Sequence, residues 1–204
     1  MNPVTDLPAA GGTLLTEQAV IRVGGAGANA ALAGVEAGMD VRLIGCTGDD
    51  QFGEWTREQL APAGLDDELV VAAGEKTGLT VVLESPARDR TFLTYLGVNA
   101  HWDAAMIPED ALTCENLLLC DYFVAPLLRG APARRLLETA RARGARTFFD
   151  TTGAGDACNA GLVLALSGGV SWHQALTQAT QFATEIIARP SNDRYKVALP
   201  GARR

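Results

Sequence analysis

Between residues 13 and 23 apolar and polar positions alternate imperfectly, with Leu15, Val20, Ile21 and Val23 set among Thr16, Glu17 and Arg22. That near-twofold period predicts a half-exposed strand. Residues 29–38 are alanine-rich and end in glycine, which predicts a tightly packed helix. Residues 41–45 predict a short buried strand. Residues 52–60 predict a helix closed by Pro62 and Gly64, and residues 69–72 another short strand. Residues 79–84 and 90–96 are β-branched and aromatic around a polar, proline-containing break, a β-hairpin pattern in which both arms carry polar residues. A hairpin with a polar face does not suit a fully covered parallel sheet, so together with residues 13–23 it predicts a small flap beside the main sheet. Residues 117–124 predict a strongly apolar strand, 132–143 a helix with basic residues near its end, and 147–149 a strand. Residues 155–166 and 172–188 predict two helices split by Ser167-Gly168-Gly169, followed by a polar, loosely held tail from Pro190. Strands alternating with helices predict an α/β layered domain.

Composition narrows the function classes. The 204 residues are 48% hydrophobic and 20% charged, as in a globular domain, and the net charge of -7 offers nothing to nucleic acid or an anionic membrane. No apolar run is long enough to span a bilayer, and residues 1–12 lack the pattern of a secretory signal, so a cytoplasmic protein is expected. Cys46, Cys114, Cys120 and Cys158 show no C-x-x-C spacing and read as reduced core residues. His101 and His173 lack ligand spacing, so no metal-binding residue is assigned. Trp55, Trp102 and Trp172 read as packing residues, and Asp49 and Asp50 as turn residues.

Two glycine-rich stretches carry the candidate chemistry. Asp150-Thr151-Thr152-Gly153-Ala154-Gly155-Asp156 places a run of small residues just before an apolar helical segment, with a carboxylate at the join. Backbone N–H groups at a helix start bind anions, and a carboxylate there can take a proton from an attacking hydroxyl. A phosphate cradle plus a base points to phosphoryl transfer to an alcohol. The other stretch, Gly24-Gly25-Ala26-Gly27-Ala28-Asn29, also fits a G-x-G-x-x-A dinucleotide fingerprint, although the preceding segment carries Glu17 and Arg22 and no ribose-binding acid follows residues 41–44. Asn29 reads either as a cap on the helix entering Ala30 or as a ligand contact.

Both stretches, with the intervening Gly45-Cys46-Thr47-Gly48-Asp49-Asp50-Gln51-Phe52-Gly53 and with Asn159-Ala160-Gly161, resemble the ribokinase-like, or PfkB-type, carbohydrate kinase family over residues from about 14 to 188. The resemblance implies a three-layer ribokinase-like α/β sandwich, a single domain over residues 1–204, with a β-lid drawn from strands near 13–23 and 79–96. It implies transfer of the ATP γ-phosphate, with Mg2+, to a hydroxyl of a sugar or nucleoside. By position it makes Asp156 the general base and gives Gly153, Ala154 and Gly155 the anion hole. It places Gly24 and Gly25 at the lid hinge against the sugar, with Asn29 on the sugar hydroxyls.

The chain departs from the family pattern in two places. It starts too late for the family's first buried strand, and Asp6 sits past the aspartate that ends that strand, so Asp6 is given no role. Arg146-Thr147-Phe148-Phe149 then runs straight into Asp150, as though two separate strands had been fused and the block between them removed. The Asn-x-x-Glu element of that block occurs nowhere in the chain. A truncated core sheet leaves apolar edges to cover, and a homodimer is the expected remedy. Three functions follow: a carbohydrate kinase, a degenerate member that binds sugar or nucleotide without turnover, and a dinucleotide-binding oxidoreductase.

Overall fold

The computed structural model describes residues 10–13, 15–16, 19–84, 90–150 and 156–188. Two parallel strand–helix–strand units form its body. In the first, β1 (Gly45–Gly48) leads through α2 (Gln51–Leu60) to β2 (Leu69–Ala72), which pairs alongside it from Gly45↔Leu69 to Gly48↔Ala72. In the second, β5 (Asn116–Leu119) leads through α3 (Ala131–Ala142) to β6 (Arg146–Phe149), in register from Asn116↔Arg146 to Leu119↔Phe149. Between the units, β3 (Leu79–Glu84) and β4 (Arg90–Tyr95) make an antiparallel hairpin. Helix α1 (Ala26–Glu36) precedes the first unit, and α4 (Asp156–Ser167) and α5 (Trp172–Ala188) follow the second.

Three apolar clusters hold these pieces. One joins Trp102, Leu112, Leu128, Leu136 and Ala140 and draws in Ile44, Val70 and Leu117, so it bridges both units. A second packs Ala31 and Leu32 of α1 on Leu60 and Leu65. The third sets Ala165 and Leu166 of α4 against Ala175 of α5 and Phe148 of β6. Helix α1 buries Ala26, Ala30, Ala31, Leu32, Ala33 and Gly34 and packs against α4, which also packs against α5. Side chains this small let helix axes approach closely, and α4, apolar nearly all round, is enclosed accordingly.

Several elements differ from the pattern-based expectation. Strand β1 begins at Gly45, where residues 41–45 were expected; Val41 and Leu43 instead pack beside Leu60, since the four residues of β2 can pair with only four partners. Strand β5 stops at Leu119 rather than running to residue 124, because Asp121 turns the chain at φ 59. The described residues among 13–23 carry no strand; Leu15, Val20 and Ile21 are exposed, and among the described residues none of the three sheets takes up a third strand. The dinucleotide fingerprint thereby lacks the strand that must precede it. Trp172, expected to pack, is 63% exposed at the start of α5; among the described residues β6 has only β5 as a ladder partner. Trp102 is buried as expected. The four cysteines form no disulfide and are half-buried. The segment 85–89 and the tail from residue 189 lie outside the described residues.

The hairpin stands on a tightly tied root. Asp50 caps α2 by accepting the Gly53 N–H at 3.0 Å, and it also accepts the Thr77 hydroxyl at 2.6 Å and the Thr77 N–H at 3.3 Å. Those hydrogen bonds, the Thr77 hydroxyl first, hold its carboxyl below the usual carboxylate range. Asp49 accepts the Gly74 N–H at 2.8 Å, and the Val98 N–H returns to the Lys76 carbonyl at 2.7 Å, closing the two legs of the hairpin on each other. The spacing Gly48-x-x-x-x-Gly53 follows from contact: a Cβ at Gly53 would fall inside the Gly48 carbonyl oxygen. Beyond this root the hairpin is uncovered. Leu79, Val81, Leu93 and Tyr95 on one face and Val82 and Phe92 on the other are each more than two-fifths exposed.

Candidate active site

Parallel strands gather ligands at their C-terminal ends, where the chain leaves the sheet and helices begin. At that end of β5 and β6 two carboxylates meet two helix starts. Asp121, two residues past β5, accepts the Ala26 N–H through Oδ1 at 3.1 Å and the Gly27 N–H through Oδ2 at 3.0 Å. Those are the first two residues of α1, a helix without a side-chain cap of its own. Asp150, directly past β6, donates its N–H to the Leu119 carbonyl at 2.9 Å, and its Oδ2 accepts from Asn159 Nδ2 at 2.9 Å. Asn159 lies in the first turn of α4, which opens at Asp156. The helices carrying the two glycine motifs therefore converge on one end of the β5–β6 pair.

The expected site residues are placed as follows. Gly24 is exposed with open space beside it, and Gly25 is the residue that caps α1, at φ 91. This left-handed conformation explains glycine there: it turns the chain so that Ala26 and Gly27 both face Asp121. Asn29 lies inside the first turn of α1, its N–H bonded to the Gly25 carbonyl at 3.1 Å, so it is not the cap that the sequence left open. Asp156 is the first residue of α4. Gly153, Ala154 and Gly155 lie outside the described residues.

Asp121 was hidden inside an apolar run read as a continuous strand. Its signal was an acid interrupting that run at the point where a parallel strand should end. Around it, the Tyr122 ring stands edge-on to Phe149 at 5.0 Å, and the Tyr122 hydroxyl accepts the Gly130 N–H at 2.9 Å. A cavity of about 350 Å³ opens between this ring pair and α3, lined by Tyr122, Ala133, Arg134, Leu137 and Phe149, and neither Asp121 nor Asp150 is among its walls. A larger groove of about 510 Å³, lined by Arg146, Ser171 and Trp172, opens at the opposite end of β6, away from both helix starts. Its size marks the uncovered flank of β6 rather than the chemistry.

The donor set bears on what could bind. Among the described residues no group of three or more His, Cys, Asp or Glu is placed to hold a metal ion. Asp150 is a hard oxygen ligand at the mouth of α4, and Mg2+ is commonly held by one or two carboxylates together with substrate phosphates. The residues therefore fit a magnesium ion carried on phosphate oxygens, not one in a dedicated protein cage.

Comparison with known proteins identifies the family and the fold. The model of the pfkB family carbohydrate kinases matches residues 2–149 and again 142–194. The two matches overlap on residues 142–149, which contain β6, so one strand of this chain answers to both segments of the family pattern. Ribokinase from Haemophilus influenzae is 29% identical over 92 residues, 45% of this chain and 30% of that protein. Nucleoside kinase from Methanothermobacter thermautotrophicus is 32% identical over 90 residues, 44% of this chain and 29% of that protein. The chain thus aligns with less than a third of the length of either relative. The ribokinase of Cryptococcus neoformans, solved in complex with ADP, superposes with a TM-score of 0.63 at 18% identity, covering 95% of this chain and 91% of that one. The fold is ribokinase-like α/β with short sheets, and with matches that reach from residue 2 to residue 194 the chain belongs to the pfkB family of carbohydrate kinases.

Proposed function

We propose that this chain transfers the γ-phosphoryl group of ATP to a hydroxyl of a sugar or nucleoside at the C-terminal end of β5 and β6. The observation that carries the reading is the convergence of α1 and α4 on Asp121 and Asp150. Phosphoryl transfer asks mainly for positioning and charge stabilisation, which two helix starts at one sheet end can supply. Gly24, Gly25 and Asn29 bind and orient the acceptor. Asp156 takes the proton from its attacking hydroxyl. The N–H groups of Gly153, Ala154 and Gly155 receive the charge that develops on the phosphoryl oxygens. Mg2+ bound with ATP would neutralise phosphate charge, with Asp150 beside it. The β3–β4 hairpin closes over the acceptor as a lid hinged at Gly48, Asp50 and Thr77, excluding water that would otherwise accept the phosphoryl group.

ADP release with Mg2+ and ATP, measured across a panel of sugars and nucleosides, tests this. Acceptor-dependent release that falls about 10²–10⁴-fold in Asp156→Asn is the expected result. A folded protein that binds acceptor but releases no ADP would instead favour a binding-only member, the reading suggested by the missing Asn-x-x-Glu element.

A further inference from the structure

The acceptor end of this site carries a charge that no family motif quoted above assigns. Helix α1 has neither a side-chain cap nor an acidic residue in its first turn, so its leading N–H groups would by default attract an anion. Asp121 fills that place from 94 and 95 residues away. Among the described residues it is the only non-glycine with positive φ, and that backbone turn aims both carboxylate oxygens at α1. The fit is close: a Cβ at Gly25 or Gly27 would lie 3.5 or 3.7 Å from Asp121 Oδ2. Among the described residues no cation pairs with Asp121. The basic side chain of the same loop, Arg129, donates to the carbonyls of Tyr122 and Phe123 instead. Asp150 places a second carboxylate at the same sheet end.

We propose that Asp121 is a positioning and specificity-determining residue: it fixes the Gly24–Gly25–Ala26 turn and restricts the acceptor to an uncharged polyol, excluding its phosphate ester. The inference rests on the kinase reading above. A full negative charge on the start of α1 offsets the helix dipole, so a phosphate or carboxylate brought there meets repulsion. A neutral hydroxyl meets a carboxylate with lone pairs left to accept its proton. The two helix starts thereby take opposite roles, α1 holding the protein's own anion and α4 left for the transferred phosphoryl group.

Titration calorimetry of the full chain tests this, with D-ribose against ribose 5-phosphate and D-fructose against fructose 6-phosphate. Wild type should bind the neutral member of a pair at least tenfold tighter. Asp121→Gly keeps the φ of 59 without strain and removes the carboxylate. It should narrow the preference by about three- to tenfold, the scale of one charge at a helix start. Asp121→Asn, which keeps the side-chain shape and one of the two acceptor oxygens, should narrow it as well while losing one hydrogen bond to α1, a smaller fall in melting temperature than Asp121→Gly shows. If Asp121→Gly does not fold, Asp121→Asn carries the test. Phosphate esters binding wild type as tightly as the free sugars, or a preference unmoved in both variants, would overturn the inference and leave the kinase reading standing. Where the acceptor panel names a nucleoside instead, that nucleoside and its 5′-monophosphate replace the sugar pairs, and wild type that neither binds nor turns over any sugar or nucleoside of the panel would overturn both.

Discussion

The two parallel units, β1–α2–β2 and β5–α3–β6, are built alike and finish differently. At the end of β1, Asp49 and Asp50 turn back on their own neighbourhood: Asp50 takes the start of α2 and Thr77, and Asp49 takes Gly74. At the ends of β5 and β6, Asp121 and Asp150 reach out to α1 and α4, elements from opposite ends of the chain. The same residue type at the same architectural position therefore serves structure in one unit and assembles the candidate site in the other. What distinguishes them is whether the acid closes its own loop or gathers separate helices. The first unit works as a rigid hinge for the hairpin and the second as a place for chemistry.

The sharpest way to break that distinction is at the hinge. Gly53→Ala puts a Cβ into the Gly48 carbonyl oxygen and 2.9 Å from the Thr77 hydroxyl. Backbone cannot yield as a side chain would, so a cost of about 1–3 kcal/mol is expected, at roughly 2–4 °C of melting temperature per kcal/mol. An unchanged melting curve would mean the hinge is not tied as described. Asp50→Ala should cost about 1 kcal/mol as a lost helix cap and, by loosening the hinge of the lid, should raise the acceptor KM and lower kcat together by a few-fold.

The pH dependence of that cost follows from the lowered Asp50 carboxyl. A depressed folded value means that the stabilisation is fully present above the unfolded value of about 3.9 and is lost as pH falls through the lower folded one. The difference in unfolding free energy between wild type and Asp50→Ala should thus shrink on acidification below about pH 4. A difference that grows there would reverse the assignment. The smallest effect is at Cys46, whose Sγ lies 3.7 Å from Asn99 Oδ1 and whose thiol burial pushes up to about 11. Iodoacetamide at pH 8 should leave Cys46 unmodified while free cysteine is consumed, and modification should speed up toward pH 11. Fast labelling at pH 8 would show that the hinge side of β1 opens readily.

Much of this layout was legible in the chain, for local reasons. The helix at 172–188 and the strand at 69–72 have the predicted bounds, and the hairpin forms within one residue of its prediction, since each is written in short-range periodicity and bounded by breakers. The family motifs named the helices that meet. What escaped was set by distant partners. Asp121 looked like part of a strand because the reason for its turn, the start of α1, lies 94 residues earlier. The strand expected at 13–23 has the right alternation, yet among the described residues no sheet pairs with it, and pairing is not a property of one segment. Trp172 looked like a core residue by type, and it is exposed beside a strand, β6, that among the described residues has no third strand alongside it.

The most direct test of the division between hinge and site compares steady-state ADP release in wild type, Asp156→Asn and Asp50→Ala, at saturating acceptor and well below the melting temperature of each. The account predicts that Asp156→Asn keeps its stability and loses about 10²–10⁴-fold in rate, while Asp50→Ala melts earlier and, as a loosened lid hinge, loses only a few-fold. Equal losses in both variants, or wild-type turnover in Asp156→Asn, would contradict it.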